Sequence, residues 1–209
     1  VSVAASVVDN LIANEVMAYV SAATTAHTLS ASGAIAIKAN QSNADIEDSK
    51  AVTASIAAGS IAVSGGGVDI DHNVQNTISA YIDGPSSNPS TKMVTGGAIS
   101  IQALEDAHLS ADATNVSIAA GLGAAIGVSL LDISLGSTIR GYVDQSHVQA
   151  TSLTVLADST SNIAENKTTG VSASIGVGAT GSHAKSYIKT TTNAYIDRST
   201  ITATGDVGV

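Results

Sequence analysis

Along most of the chain, apolar and polar residues alternate one by one. Ala34-Ile35-Ala36-Ile37-Lys38-Ala39 and Thr151-Ser152-Leu153-Thr154-Val155 are clear stretches. A period of two puts every second side chain on one face of a β-strand. No window places apolar residues at helical spacing between start and stop signals. Ala103-Leu104-Glu105-Asp106-Ala107 would suit a helical turn, but the corresponding segments 40–45 and 158–162 would not. The pattern predicts an all-β chain of many short strands.

The strands recur as phrases. Ala18-Tyr19-Val20 returns as Ala80-Tyr81-Ile82-Asp83, Gly141-Tyr142-Val143-Asp144 and Ala194-Tyr195-Ile196-Asp197, with the tyrosines 62, 61 and 53 residues apart. Gly33-Ala34-Ile35-Ala36-Ile37 returns as Gly97-Ala98-Ile99-Ser100-Ile101, then at Ser152-Leu153-Thr154-Val155 and Gly205-Asp206-Val207. Ser55-Ile56-Ala57-Ala58-Gly59 returns as Ser117-Ile118-Ala119-Ala120-Gly121 and as Ser174-Ile175-Gly176-Val177-Gly178. Repeats that keep their phrases in order are the signature of an array.

The reading is a right-handed parallel β-helix, or β-solenoid, built from repeats of about 60 residues. Its hand follows from the general preference of parallel crossovers. Three coils of about 20 residues would fill each repeat, and three repeats would make a rod of roughly 40 to 50 Å. A β-propeller-like fold and a sandwich are the alternatives. The propeller would have too few blades to close, and the sandwich lacks tight-hairpin dipeptides other than Asp83-Gly84. Residues 1–209 form one segment, with repeats starting near 18, 80, 141 and 194. It starts and stops within a repeat, as an internal fragment of a larger protein would. The segment from Gly84 to Lys92 holds both prolines and is expected to project as a loop.

Composition narrows this further. There is no Phe, Trp or Cys, so the core must be Ala, Val, Ile and Leu, with no disulfide frame. A narrow core of stacked aliphatic residues suits that set. The net charge is −9 with only 8 Lys and Arg, which argues against nucleic-acid binding. No apolar run is long enough for a membrane-spanning helix.

Few residues suggest chemistry. Asp83, Asp144 and Asp197 follow the tyrosines and would line one edge. They read as turn residues, or as a calcium-binding carboxylate ladder spaced about 14 Å apart if three coils separate them. Asp69 and Asp71 share a strand face after Gly65-Gly66-Gly67 and are further calcium candidates. Tyr19, Tyr81, Tyr142 and Tyr195 read as rings packed in or beside the core. An exposed ladder in which Tyr81, Tyr142 and Tyr195 stack on sugars is the alternative. The histidines His27, His72, His108, His147 and His183 have no paired spacing and read as surface residues. No catalytic constellation appears, so the chain is not expected to be an enzyme.

The Tyr-Ile-Asp phrases, the run from Ala194 to Val207 and Val171-Ser172-Ala173-Ser174-Ile175-Gly176-Val177-Gly178 resemble the repeat regions of giant β-strand-repeat bacterial surface proteins. These include filamentous haemagglutinin-like and leukotoxin-type adhesins. The resemblance implies export to the cell surface or beyond. It also implies a β-helical stalk and a role in attachment or cell–cell contact, with cell surfaces, surface proteins or polysaccharides as partners. A carbohydrate-binding or carbohydrate-processing β-helix and a calcium-stabilised repeat module are the alternatives. Exposed strand edges at the two ends would favour end-to-end self-association.

Overall fold

The computed structural model describes residues 1–22, 28–84 and 92–209, so His27 and most of the proline-bearing loop lie outside the described residues. The described residues contain strands and no helix. Every ladder among them is parallel, which is consistent with a β-helix or solenoid and not with an antiparallel sandwich or propeller blade.

The strands are β1 (Ser2–Ile12), β2 (Glu15–Ser21), β3 (Leu29–Ser30), β4 (Ile35–Gln41), β5 (Ile46–Val74), β6 (Thr77–Asp83), β7 (Lys92–Thr95) and β8 (Ala98–Leu135). They continue with β9 (Thr138–Asp144), β10 (His147–Ala150), β11 (Ser152–Ser174), β12 (Val177–Ile188), β13 (Thr191–Asp197), β14 (Thr200–Ala203) and β15 (Val207–Gly208). One sheet joins β1, β5, β8, β11 and β15, with β4 and β12 also on β8. The others run β13-β9-β6-β2 and β14-β10-β7-β3.

The repeat is one coil, not three. Tyr19 pairs with Tyr81, Tyr81 with Tyr142 and Tyr142 with Tyr195, so equivalent residues of consecutive repeats are hydrogen-bonded neighbours. The expected 14 Å interval between equivalent aspartates is therefore about 4.8 Å, and the stack rises only about 20 Å over four rungs. The expected phrases align in the same way, with Ile35 on Ile99, Ile99 on Leu153 and Leu153 on Val207. One is displaced: Ser172, not Ser174, pairs with Ser117. The shorter spacing to the last tyrosine leaves the ladders in register, because much of the loss falls at a corner. Two residues separate Asp144 from His147, where eight separate Asp83 from Lys92.

Each coil has two parts. The β6-type, β7-type and early β8-type strands enclose a three-sided body filled by Ile78, Ile82, Val94, Ile99, Ile101, Ile139, Val143, Val148, Leu153 and Val155. From the body the chain runs out along one limb, reverses at Gly59 or Gly121, and returns along a second limb to form a flat fin. Ser64 Oγ donates to Ser55 O at 2.7 Å across this reversal, and Ser172 Oγ donates to Ala179 O at 2.8 Å one coil pair later. From Glu105 to Ala120, the outgoing limb of the second full coil spans roughly 50 Å at strand rise. The limbs pack on Ala51, Val68, Ile70, Val74, Leu109, Leu131, Ile133 and Leu135 near the body. Farther out only Ala57, Ala62, Ala119 and Ala125 remain as apolar filling.

Between those two apolar clusters lies a buried polar seam of Thr53, Ser55, Ser64, Asn115, Ser117 and Ser129. Asn115 Nδ2 donates to Thr53 Oγ1 at 2.8 Å, and Ser117 Oγ donates to Asn115 Oδ1 at 3.3 Å. A methyl on Gly66 or Gly127 would collide with the Asn115 amide, so these glycines make the room it fills. Glu105 sits buried where fin meets body and accepts from Asn76 Nδ2 and Ser159 Oγ, both at 3.0 Å.

Candidate functional site: ladders on the outer faces

The β2-β6-β9-β13 sheet carries the most regular outer surface. Ile78, Ala80 and Ile82 point inward, so the period of two turns Tyr81 and Asp83 outward. The rings of Tyr19, Tyr81, Tyr142 and Tyr195 stack with centroids 5.1, 4.7 and 5.1 Å apart and interplanar angles of 7°, 3° and 3°. The expected packing of these rings into or beside the core is thus replaced by packing on one another outside it. Ring faces meet ring faces, and Tyr81 and Tyr142 have a neighbour on both sides. They present edges to solvent, whereas stacking on a sugar uses a face.

Asp83, Asp144 and Asp197 close the same strands as register neighbours. Arg198 forks onto Asp144, with Nη2 to Oδ2 at 2.7 Å and Nε to Oδ1 at 3.2 Å, and Nε also reaches Asp197 Oδ2 at 3.1 Å. A bend follows Asp144 and Asp197, and a serine two residues on bonds the carbonyl of each. Ser146 Oγ donates to Asp144 O at 2.7 Å and Ser199 Oγ to Asp197 O at 2.6 Å. Loss of water contact and the Asp144 charge push the Asp83 carboxyl above its usual range, while Arg198 opposes the rise.

Burial pushes the Tyr142 hydroxyl up to about 12, with Tyr81, Tyr195 and Asp83 adding to the rise. An unfolded tyrosine ionises near 10, so between roughly pH 10 and 12 the native chain holds a proton the unfolded chain has lost. Stability is expected to hold below pH 10 and to fall as pH climbs through that window. Tyrosinate absorbance in an alkaline titration, with a melting curve at each pH, checks this. Ionisation of all five tyrosines together near pH 10 would refute it.

Asp69 and Asp71 do share an outer face, as expected, on the return limb. The register sets Asp9, Asp71, Asp132 and Lys185 in one row across four strands. The contribution of Asp9 and Asp132 was hidden in the sequence, since they belong to other phrases. Loss of water contact and the charges of Asp132, Asp9 and Asp69 raise the Asp71 carboxyl, and Lys185 Nζ lies 3.5 Å from Asp132 Oδ2. No group of three or more His, Cys, Asp or Glu side chains that could hold a metal ion occurs among the described residues. Of the histidines expected at the surface, His72 is instead fully buried in the fin; its Nδ1 lies 3.0 Å from Asp71 O and 3.3 Å from Asn10 Nδ2. Desolvation lowers its affinity for a proton.

The fin tip inverts the usual order of inside and outside. Its interior is Ser, Thr, Asn, Gly and Ala, while Val52, Ile56, Ile61, Leu122, Ile126, Val171, Ile175 and Val177 stand exposed. No charged residue occurs in 51–68, 113–131 or 168–182, which are the tip segments of three coils. Sequence alternation predicts strands here but not which set of residues turns outward.

The chain matches no protein-family model, no curated protein and no solved structure. No helix among the described residues is long and apolar enough to cross a membrane.

Proposed function

We propose that the chain is a right-handed parallel β-helix segment of a large secreted or cell-surface adhesin-like protein. It serves attachment or cell–cell contact without catalysing a reaction. The observation that carries the reading is the residue-on-residue stacking of equivalent side chains, seen most plainly in the tyrosine ladder. Such a stack offers the same contact groups at about 4.8 Å intervals, so weak contacts multiply.

The geometry favours breadth over reach. A coil of about 60 residues adds only about 4.8 Å along the axis, whereas coils of about 20 residues would add three times as much per residue. The residues go into wide faces that meet another surface. Beads coated with the chain at graded density test this on cells, on isolated surface proteins and on polysaccharide films. Retention should climb steeply with density on at least one of them, while soluble chain competes poorly. Absence of retention at every density on all three would sink the proposal.

A further inference from the structure

We propose that the tyrosine ladder is a modification site, at which a one-electron oxidant links register neighbours as dityrosine and so ties each coil covalently to the next. The ladder sets four phenols in a row, with ring centroids 4.7 to 5.1 Å apart and planes within 7° of parallel. Backbone register holds them there, since Tyr19, Tyr81, Tyr142 and Tyr195 are partners on successive rungs.

Composition directs an oxidant to these rings. The chain has no Trp and no Cys, the other side chains that readily give up a single electron. Its two methionines take an oxygen atom on sulfur instead. Of the five tyrosines that remain, four form the ladder. They lie on the outer face of their sheet, with Tyr19 57 % exposed, so an oxidant meets them without entering the core.

Geometry then selects the product. Loss of one electron and the phenolic proton leaves a tyrosyl radical, whose unpaired spin is shared between the oxygen and ring carbons that include Cε1 and Cε2. A second oxidation on the adjacent rung puts two such radicals about 4.8 Å apart along the stack. A turn of either ring about Cβ–Cγ brings a Cε of one against a Cε of the other, and a Cε–Cε bond forms. Each bonded Cε gives up its hydrogen as a proton while each oxygen regains one, which restores both phenols. The net loss is two electrons and two protons for each link. Hydrogen peroxide, acting through a peroxidase, takes them up and becomes two waters. Free radicals must diffuse to meet, whereas here the partner is already held in place.

Tyr187 supplies the contrast. It is 50 % exposed, nearly as open as Tyr19, but its register partner is Ser134 and not another phenol. Each ladder link would close a loop of about one coil, 62, 61 or 53 residues by the tyrosine spacing, and resist separation of its two rungs. This holds whether or not the chain serves attachment.

The test oxidises the whole chain with a peroxidase and hydrogen peroxide, dilute enough that copies rarely meet. Persulfate with a light-activated ruthenium complex serves as a second oxidant. Cleavage after Lys and Arg under denaturing conditions puts the five tyrosines on five different peptides, so mass spectrometry names each linked pair. Monomeric chain should carry the pairs Tyr19–Tyr81, Tyr81–Tyr142 and Tyr142–Tyr195, each at least about tenfold more abundant than any pair containing Tyr187. It should also melt at a higher temperature than untreated chain. Tyr81→Phe with Tyr142→Phe takes a phenol from every neighbouring pair and should abolish the internal links, with circular dichroism establishing that the variant folds. Tyr187→Phe should leave the links unchanged. Links that join Tyr187 as often as ladder neighbours, links found only between copies, or ladder rings consumed without linking would overturn the proposal. So would a ladder that neither oxidant alters.

Discussion

Replacing Gly121 by alanine should cost more than about 3 kcal/mol of stability, and the same change at Gly59 only about 1 to 3 kcal/mol. The two glycines hold equivalent places at the reversal of the fin, with φ of 146° and 149°. Residues with side chains rarely adopt that backbone, so both substitutions are strained. Their surroundings differ. A methyl on Gly59 finds Ile61 O at 3.6 Å, an ordinary contact, whereas a methyl on Gly121 runs into the Gly59 carbonyl of the coil beneath it. The carbonyl belongs to a stacked strand and cannot withdraw without opening the arch. Urea unfolding of the two variants, followed by circular dichroism, gives the midpoints. Equal losses at the two positions would mean that conformation alone matters and that the arches do not press on one another.

The second large effect lies in the polar seam. Asn115→Ala should cost about 2 to 4 kcal/mol, since it removes the amide that bonds Thr53 and Ser117 and leaves a void. Gly127→Ala should cost about 1 to 3 kcal/mol, because its methyl claims the space the Asn115 side chain holds. Combined, the changes should fall short of additivity by about 1 to 2 kcal/mol, as the alanine methyl fills room the asparagine has vacated. Four denaturation curves complete the cycle. Additivity within about 0.5 kcal/mol would show that the two positions do not share that space.

The strands and their parallel order were legible in the sequence, because a period of two and a recurring Tyr-Ile-Asp phrase need nothing but local pattern. The number of coils per repeat was not. Alternating phrases look alike whether they are wrapped three times or laid out once along a limb, and only the pairing of Tyr81 with Tyr142 decides. The direction of the tyrosines and of the tip aliphatics was hidden for a related reason. Which residues face inward is set where burial is strongest, at Ile99, Ile101 and Leu109, and the alternation then runs unbroken to Ala119. Asn115 and Ser117 are carried inside by that parity, and Val116 and Ile118 are carried outside. A local preference for burying the larger residue is overruled by the remainder of the strand. The acidic row was invisible for want of register, since Asp9, Asp71 and Asp132 come from three repeats and share no motif.

The size of the coil also sets how the molecule would respond to force. Pulled along the stacking axis, it should yield one whole coil at a time, because each coil is bonded along its length to the next. Every coil released gives up about 4.8 Å of stack and returns about 200 Å of extended chain, from roughly 60 residues at about 3.4 Å each. A tether built this way is short and stiff at rest and gains length in large discrete steps under load, each one dissipating the work of stripping a full set of ladders.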